Sequence, residues 1–231
     1  MSRLAAFGQW LGLALLPPRC LVCDEAGSRG QDLCVACRGA MPFNRVACRR
    51  CALPLPAHGT CGPCLRSPPP FAASTAALVY RFPADQLLPR FKFHGDLAAG
   101  RLLSQLMVEA LAEVPRPGAL VPVPLHPSRL RQRGYDQALE LARPLARAFG
   151  LPLCSESLQR VRLTAPQSEL DAASRRHNVR SAFAARGAGL PGHVALVDDV
   201  MTTGATLAEC ARALQRAGVS RVDVWVAARA P

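Results

Sequence analysis

The chain has 231 residues, half of them apolar, and a net charge of +12. That length suits one ordinary domain plus a small one, with a core of useful size. No apolar run approaches the ~20 residues that a membrane-spanning helix needs. The 28 basic residues are 27 arginines and one lysine, Lys92, so arginine is the default cation here and no single arginine marks a contact. Residues 119–186 hold 11 arginines against 5 acids, whereas residues 187–231 are neutral. A basic middle segment suits an anionic ligand, a polyphosphate or nucleic acid, with a solvated surface as the plain alternative.

The opening stretch AAFGQWLGLALLPP has the look of an export signal. However, Arg3 alone is a thin positive flank, and Pro17-Pro18-Arg19 stand where small cleavage-site residues belong. The stretch reads as a short helix packing on the residues after it, and the protein as cytoplasmic.

Eight of the ten cysteines then form four C-x2-C pairs: Cys20/Cys23, Cys34/Cys37, Cys48/Cys51 and Cys61/Cys64, separated by ten, ten and nine residues. Each such turn aims two thiolates at one ion, so a tetrahedral zinc needs two turns. The repeat therefore predicts two structural Zn²⁺ sites of four cysteines each. Disulfides fit poorly with a cytoplasmic chain, and iron–sulfur ligands usually come in less regular arrays. Sequential pairing closes each ribbon locally, with interleaved pairing as the alternative. Arg45, Arg49 and Arg50 flank the third knuckle, as a phosphate-binding rim or a solvated turn. Cys154 and Cys210 lie outside the repeat.

A Pro-rich linker at 67–72 separates a ribbon unit at 1–66 from a second domain at 73–231. In that domain STAALVYRF predicts a strand, FKFHGD (91–96) leads into a helix over 97–112, and ALVPVPL (119–125) predicts a buried strand. The spacing of Ala138, Ala142, Leu145, Ala146 and Phe149 predicts a helix over 135–149 with Asp136 near its start. LQRVRL reads as a strand, SELDAASRRHNV as a helix, HVALVDD as a strand, 205–217 as a helix burying Leu207, Cys210, Ala211 and Leu214, and RVDVWVAA as the last strand. Alternating strands and helices imply an α/β fold, a parallel sheet covered on both faces. Ligands in such sheets bind at the carboxyl ends of the strands.

The stretch VALVDDVMTTGATL (194–207) lies at such an end. Thr202, Thr203, Gly204, Ala205 and Thr206 join a strand to a helix start, where backbone N–H groups and the helix dipole favour a phosphate. Neither the lysine nor the spacing of an ATPase P-loop is present. Asp198 and Asp199 are wrongly charged for phosphate. They suit a metal or the vicinal hydroxyls of a sugar, and a ribose 5-phosphate uses both halves at once. An ordinary helix cap and turn is the plainer alternative.

This stretch closely resembles the phosphoribosyl-pyrophosphate motif of type I phosphoribosyltransferases. With the cysteine repeat, FKFHGD, PVPLHPSRLRQRGYDQA (122–138) and APQSELDAASRRHNVRSAF (165–183), nearly the whole chain resembles the ComF-like proteins, which join a double zinc ribbon to a phosphoribosyltransferase domain. One departure is Asp136, where that family more often has Asn. The resemblance implies that Asp198 and Asp199 position the ribose hydroxyls and that Val200, Met201 and Thr202–Thr206 cradle the 5-phosphate. It implies that Arg129 and Arg133, and more weakly Arg131, meet the pyrophosphate, with Mg²⁺ carried by the ligand, while Arg176 and Asn178 close over the site. Lys92 and His94 are outside candidates. The implied activity is transfer of phosphoribose from phosphoribosyl pyrophosphate to an acceptor that the sequence does not name. The alternative is a non-catalytic donor-binding protein that handles single-stranded DNA in natural competence, with a helicase of that machinery as partner.

Overall fold

The computed structural model describes residues 17–28, 30–162, 182–186 and 189–231. The positions where the sequence predicts a short amino-terminal helix and a helix at SELDAASRRHNV, and with them Arg176 and Asn178, lie outside the described residues.

The organising unit is a four-stranded, wholly parallel sheet. Its strands are β1 (Ala73–Val79), β2 (Ala119–Pro122), β5 (His193–Met201) and β6 (Arg221–Arg229), in spatial order β1-β6-β5-β2. The two central strands, β5 and β6, carry the longest apolar runs, as strands covered on both faces must. Val194 to Val197 and Val222 to Ala228 (with Asp223 the one exception in apolarity) are all buried.

Side chains along these strands alternate between the two faces. Ala195, Val197, Trp225 and Ala227 pack with Leu87, Leu88 and Phe91 of helix α3 (Ala84–Phe93), Leu102, Leu103, Leu106 and Met107 of α4 (Leu97–Ala110), and Leu141 and Leu145 of α6 (Gln137–Phe149). Val194, Leu196, Val224 and Val226 face the other way, onto Leu207, Cys210, Ala211 and Leu214 of α7 (Ala205–Arg216). The antiparallel pair β3 (Leu158–Arg160) and β4 (Phe183–Ala185) packs on this second face through Leu158 and Phe183.

Two elements near the site are not read from the sequence. Residues 91–93 of FKFHGD finish helix α3, which contains Pro89 and which the sequence reading does not assign. Helix α5 (Pro127–Arg133) follows β2 directly, starts on Pro127 and ends at Gly134 in the left-handed region (φ 79°). Helices α3 and α4 approach closely because residue 100 is glycine: a Cβ there would lie 2.4 Å from the Phe91 ring. Phe91 in turn packs against Tyr135, ring centroids 5.7 Å apart.

The ribbons are seated on this unit. Cys20, Leu33, Cys34 and Met41 belong to the same apolar cluster as α3 and α4. Arg90 donates to the Leu21 carbonyl, and Arg101 pairs with Asp32. The second ribbon lies along the outer edge of β1, where Asn44 donates to Ala77, Val79 to Pro42 and Ser74 to Arg49. An otherwise open strand edge is thereby covered. Phe71, from the Pro-rich 67–72 segment, is buried beside Met201 rather than extended in solvent. Among the described residues no helix is long and apolar enough to cross a membrane.

Candidate functional site

The cysteines gather into two clusters, Cys20/Cys23/Cys34/Cys37 and Cys48/Cys51/Cys61/Cys64, each with its sulfur atoms within 4.8 Å of one another. The pairing is sequential, and each ribbon closes on itself. The two halves share their geometry as well as their spacing. In both, the residue after the first knuckle lies in the left-handed region, Asp24 at φ 63° and Ala52 at φ 54°. In both it donates back to the first cysteine's carbonyl, Asp24 to Cys20 and Ala52 to Cys48. In both the second knuckle opens a short helix, α1 (Val35–Ala40) after Cys34 and α2 (Gly62–Arg66) after Cys61.

These thiols fit zinc. Cys23 and Cys34 sulfurs are 3.6 Å apart, as are those of Cys51 and Cys61, close to the ~3.8 Å edge of a tetrahedron with ~2.3 Å Zn–S bonds. Burial pushes the Cys20 and Cys48 thiols up, but surrounding backbone N–H groups outweigh it and hold both at about 6, ready as thiolates. Cys37 and Cys64 are pushed the other way, by burial and then by neighbouring sulfurs. A +2 ion at the centre removes that conflict. Four protein ligands leave no open position, so both sites are structural.

The second site is a cavity of about 780 Å³ at the carboxyl ends of β2 and β5. Val200, Met201, Thr202, Gly204, Ala205 and Thr206 all line it. Gly204 turns the chain into α7 with φ 73° and brings no capping side chain, so the helix start faces the cavity. A Cβ at 204 would touch Met201 and Phe71, at 3.7 and 3.8 Å. Thr203 is exposed and outside the lining; its hydroxyl accepts from the Ala205 amide at 3.4 Å.

Both aspartates line the cavity, in different ways. Asp199 is buried, 5% exposed, and its carboxylate meets Lys92 Nζ at 2.8 Å. Asp198 is partly exposed; burial, and next the charge of Asp199, push its carboxyl up to about 8. Burial pulls the Lys92 ammonium down, but Asp199 and Asp198 more than reverse this and raise it.

Of the three predicted arginines, α5 delivers two. Arg129 and Arg133 line the cavity, and Arg133 donates to Gln137 Oε1 at 3.0 Å. Arg131 is exposed and outside the lining, because it sits on the opposite side of a two-turn helix from the cavity-facing pair. His94 is likewise exposed and caps the end of α3, outside the lining although its neighbours Phe93 and Gly95 belong to it. Asp136 caps α6 with one carboxylate oxygen on the Leu139 amide and receives the Leu125 amide on the other. It thus ties both ends of the α5 loop, a double acceptance that a single amide oxygen of Asn cannot copy.

Arg160 is a site residue that the sequence does not announce. It is buried, lines the cavity from β3, and stands over the Phe183 ring at 5.4 Å. Burial, and then the nearby charge of Arg129, lower its pKa. Its one signal in LQR is the alternation that puts Leu158 and Arg160 on one inward face.

A family model for the double zinc ribbon domain matches residues 12–65. The DNA utilization protein YhgH of Escherichia coli strain K12 is 33% identical over 222 residues, 93% of this chain and 98% of the relative. Competence protein F of Haemophilus influenzae is 36% identical over 179 residues, 74% of this chain and 78% of the relative. The chain belongs to the ComF family. Competence protein ComFC of Bacillus subtilis is 26% identical over 221 residues, 86% and 89% of the two chains. In this ComF-family chain the two zinc clusters and the strand-end cavity are separate centres. The second ribbon touches the cavity wall through the Arg229 bonds to the Cys51 carbonyl at 2.9 Å and to the Met201 carbonyl, and through Ala52, which packs in the same apolar cluster as Met201.

Proposed function

We propose that the cavity binds phosphoribosyl pyrophosphate with Mg²⁺ and transfers phosphoribose to an acceptor. The observation that carries this reading is the split chemistry of one cavity. One lining combines a helix start with a glycine turn, Asp198, and cations from α3, α5 and β3. The helix start takes the 5-phosphate. Asp198 addresses the ribose hydroxyls. Arg129 and Arg133, joined by Arg160, take the pyrophosphate, whose oxygens guanidinium groups match in pairs.

The residues fit a divalent cation brought by the donor, since Asp198 lines the cavity beside a second carboxylate, and burial and the charge of Asp199 push its carboxyl up to about 8. That ion supplies charge neutralisation on the leaving pyrophosphate. In the transfer, the bond from C1 to the pyrophosphate oxygen breaks, a bond from C1 to the acceptor's nucleophile forms, and the nucleophile's proton departs. The arginines stabilise the charge that gathers on the leaving oxygen. The setting for this reading is cytoplasmic. Pyrophosphate release from the donor, measured across a panel of nucleobases and amines, tests it. Release with one acceptor class supports a transferase. Donor binding without release under any condition removes the catalytic step.

A second reading has its own support. Phe93 is 63% exposed at the cavity mouth, with the Arg133 guanidinium 5.5 Å from its ring. An exposed ring beside a cation suits a stacked base of single-stranded DNA, and relatives are named for DNA utilization and competence. In that reading the chain binds the donor without transfer and works beside a competence helicase. Salt-dependent binding to single strands that survives Asp198→Ala supports it, and its absence removes it.

A further inference from the structure

Asp198 and Asp199 are adjacent on β5, and a pleated strand sends adjacent side chains to opposite faces. Val197, one residue earlier, packs with α3, α4 and α6, so Asp199 shares that face and Asp198 takes the other. The hydrogen bonds agree. Asp199 receives the Val200 amide on one oxygen at 2.7 Å and Lys92 Nζ of α3 on the other at 2.8 Å. Asp198 receives the Asp199 amide on Oδ1, and its Oδ2 accepts nothing from the described residues. Asp199 is occupied and buried, whereas Asp198 presents an oxygen to the cavity.

Lys92 is the chain's single lysine among 27 arginines. It lines the cavity with about a third of its side chain exposed, and Arg133 lines the same wall. A compact ammonium has three donors, and Asp199 uses one. An arginine in that slot would spread its charge over a planar fork and aim its remaining donors differently from a compact ammonium.

Resting on the donor reading above, we propose that Asp199 does not bind the sugar. It is a positioning residue that holds the Lys92 ammonium at the cavity wall, and Lys92 meets the pyrophosphate oxygens while Asp198 alone addresses the ribose hydroxyls. The type I motif is then read as two functions in two adjacent acids.

Calorimetry on the zinc-loaded full chain with Mg²⁺ tests this with three probes: the donor, inorganic pyrophosphate and ribose 5-phosphate. Lys92→Met and Asp199→Asn should each weaken donor and pyrophosphate by about tenfold or more, the size of a lost charge-assisted hydrogen bond. Both should leave ribose 5-phosphate within about twofold. The double variant should bind no worse than either single one, because both remove the same interaction. Lys92→Arg should not restore affinity, and Asp198→Asn should weaken ribose 5-phosphate. Additive losses, or a loss of ribose 5-phosphate affinity in Asp199→Asn, overturn the assignment alone. A wild-type chain that binds none of the three overturns the donor reading and the assignment with it. A measurement on the unmutated chain guards against misfolded variants. Lys92 is the one lysine open to reductive methylation, and pyrophosphate should protect it where ribose 5-phosphate does not. Equal protection by both, or by neither, overturns the proposal.

Discussion

Replacing Asp198 by Asn should stabilise the ligand-free protein, and increasingly so as pH rises. The carboxyl sits at about 8 in the folded chain, against ~3.9 for an unfolded aspartate. Between those values the folded state keeps a proton that the unfolded state has released, so the group's contribution is present below ~4 and declines until about 8. Each unit in that window costs ~1.4 kcal/mol. From pH 6 to 8, with partial exposure and coupling to Asp199 taken into account, the effect is roughly 1–2 kcal/mol. Asn keeps the shape, leaves the Lys92–Asp199 pair in place and carries no proton to lose. Urea unfolding of the zinc-loaded chain at pH 6 and pH 8.5 should show the variant gaining on the wild type by that amount. The order should invert with donor present. A donor at a hundred times its dissociation constant adds ~2.7 kcal/mol to the wild type, and Asp198→Asn should lose most of it. A variant that parallels the wild type across the range, or is less stable at pH 8.5, refutes the reasoning.

Three further outcomes are expected from the geometry. Metal analysis should find two zincs per chain, and Cys34→Ser should leave one and lower the unfolding midpoint sharply, since metal binding and ribbon folding are one process. Gly100→Ala should cost about 1–3 kcal/mol in denaturant unfolding, because its methyl meets the buried Phe91 ring. It should also weaken pyrophosphate binding by shifting the helix that carries Lys92. Gly204→Ala should cost about 1 kcal/mol from its left-handed φ rather than from a clash, and should weaken ribose 5-phosphate binding more than pyrophosphate binding.

What the sequence made legible were features with a local signal. The apolar run Val194–Val197, the spacing of Leu207, Cys210, Ala211 and Leu214, and the cysteine repeat each announce their own structure, and the chain folds as they indicate. Features that depend on distant partners left no such mark. Helix α3 contains Pro89, which argues against a helix, and its capture by the core through Leu87, Leu88 and Phe91 overrides that local cost. The Lys92–Asp199 pair joins residues more than a hundred positions apart, and only the rarity of lysine hinted at it. Arg160 lies on a three-residue strand, too short for periodicity to reveal. Among the three alternate arginines, the ranking of Arg129 and Arg133 above Arg131 parallels helix geometry: residues two apart diverge, and Arg129 and Arg133 line the cavity where Arg131 does not.

The central claim is that the strand-end cavity is a phosphoribosyl-pyrophosphate site, and calorimetric titration of the donor into the zinc-loaded chain with Mg²⁺ tests it most directly. The account predicts one site per chain, competed by both pyrophosphate and ribose 5-phosphate and lost in Asp198→Asn. Absence of binding, or binding that Asp198→Asn leaves unchanged, would contradict it.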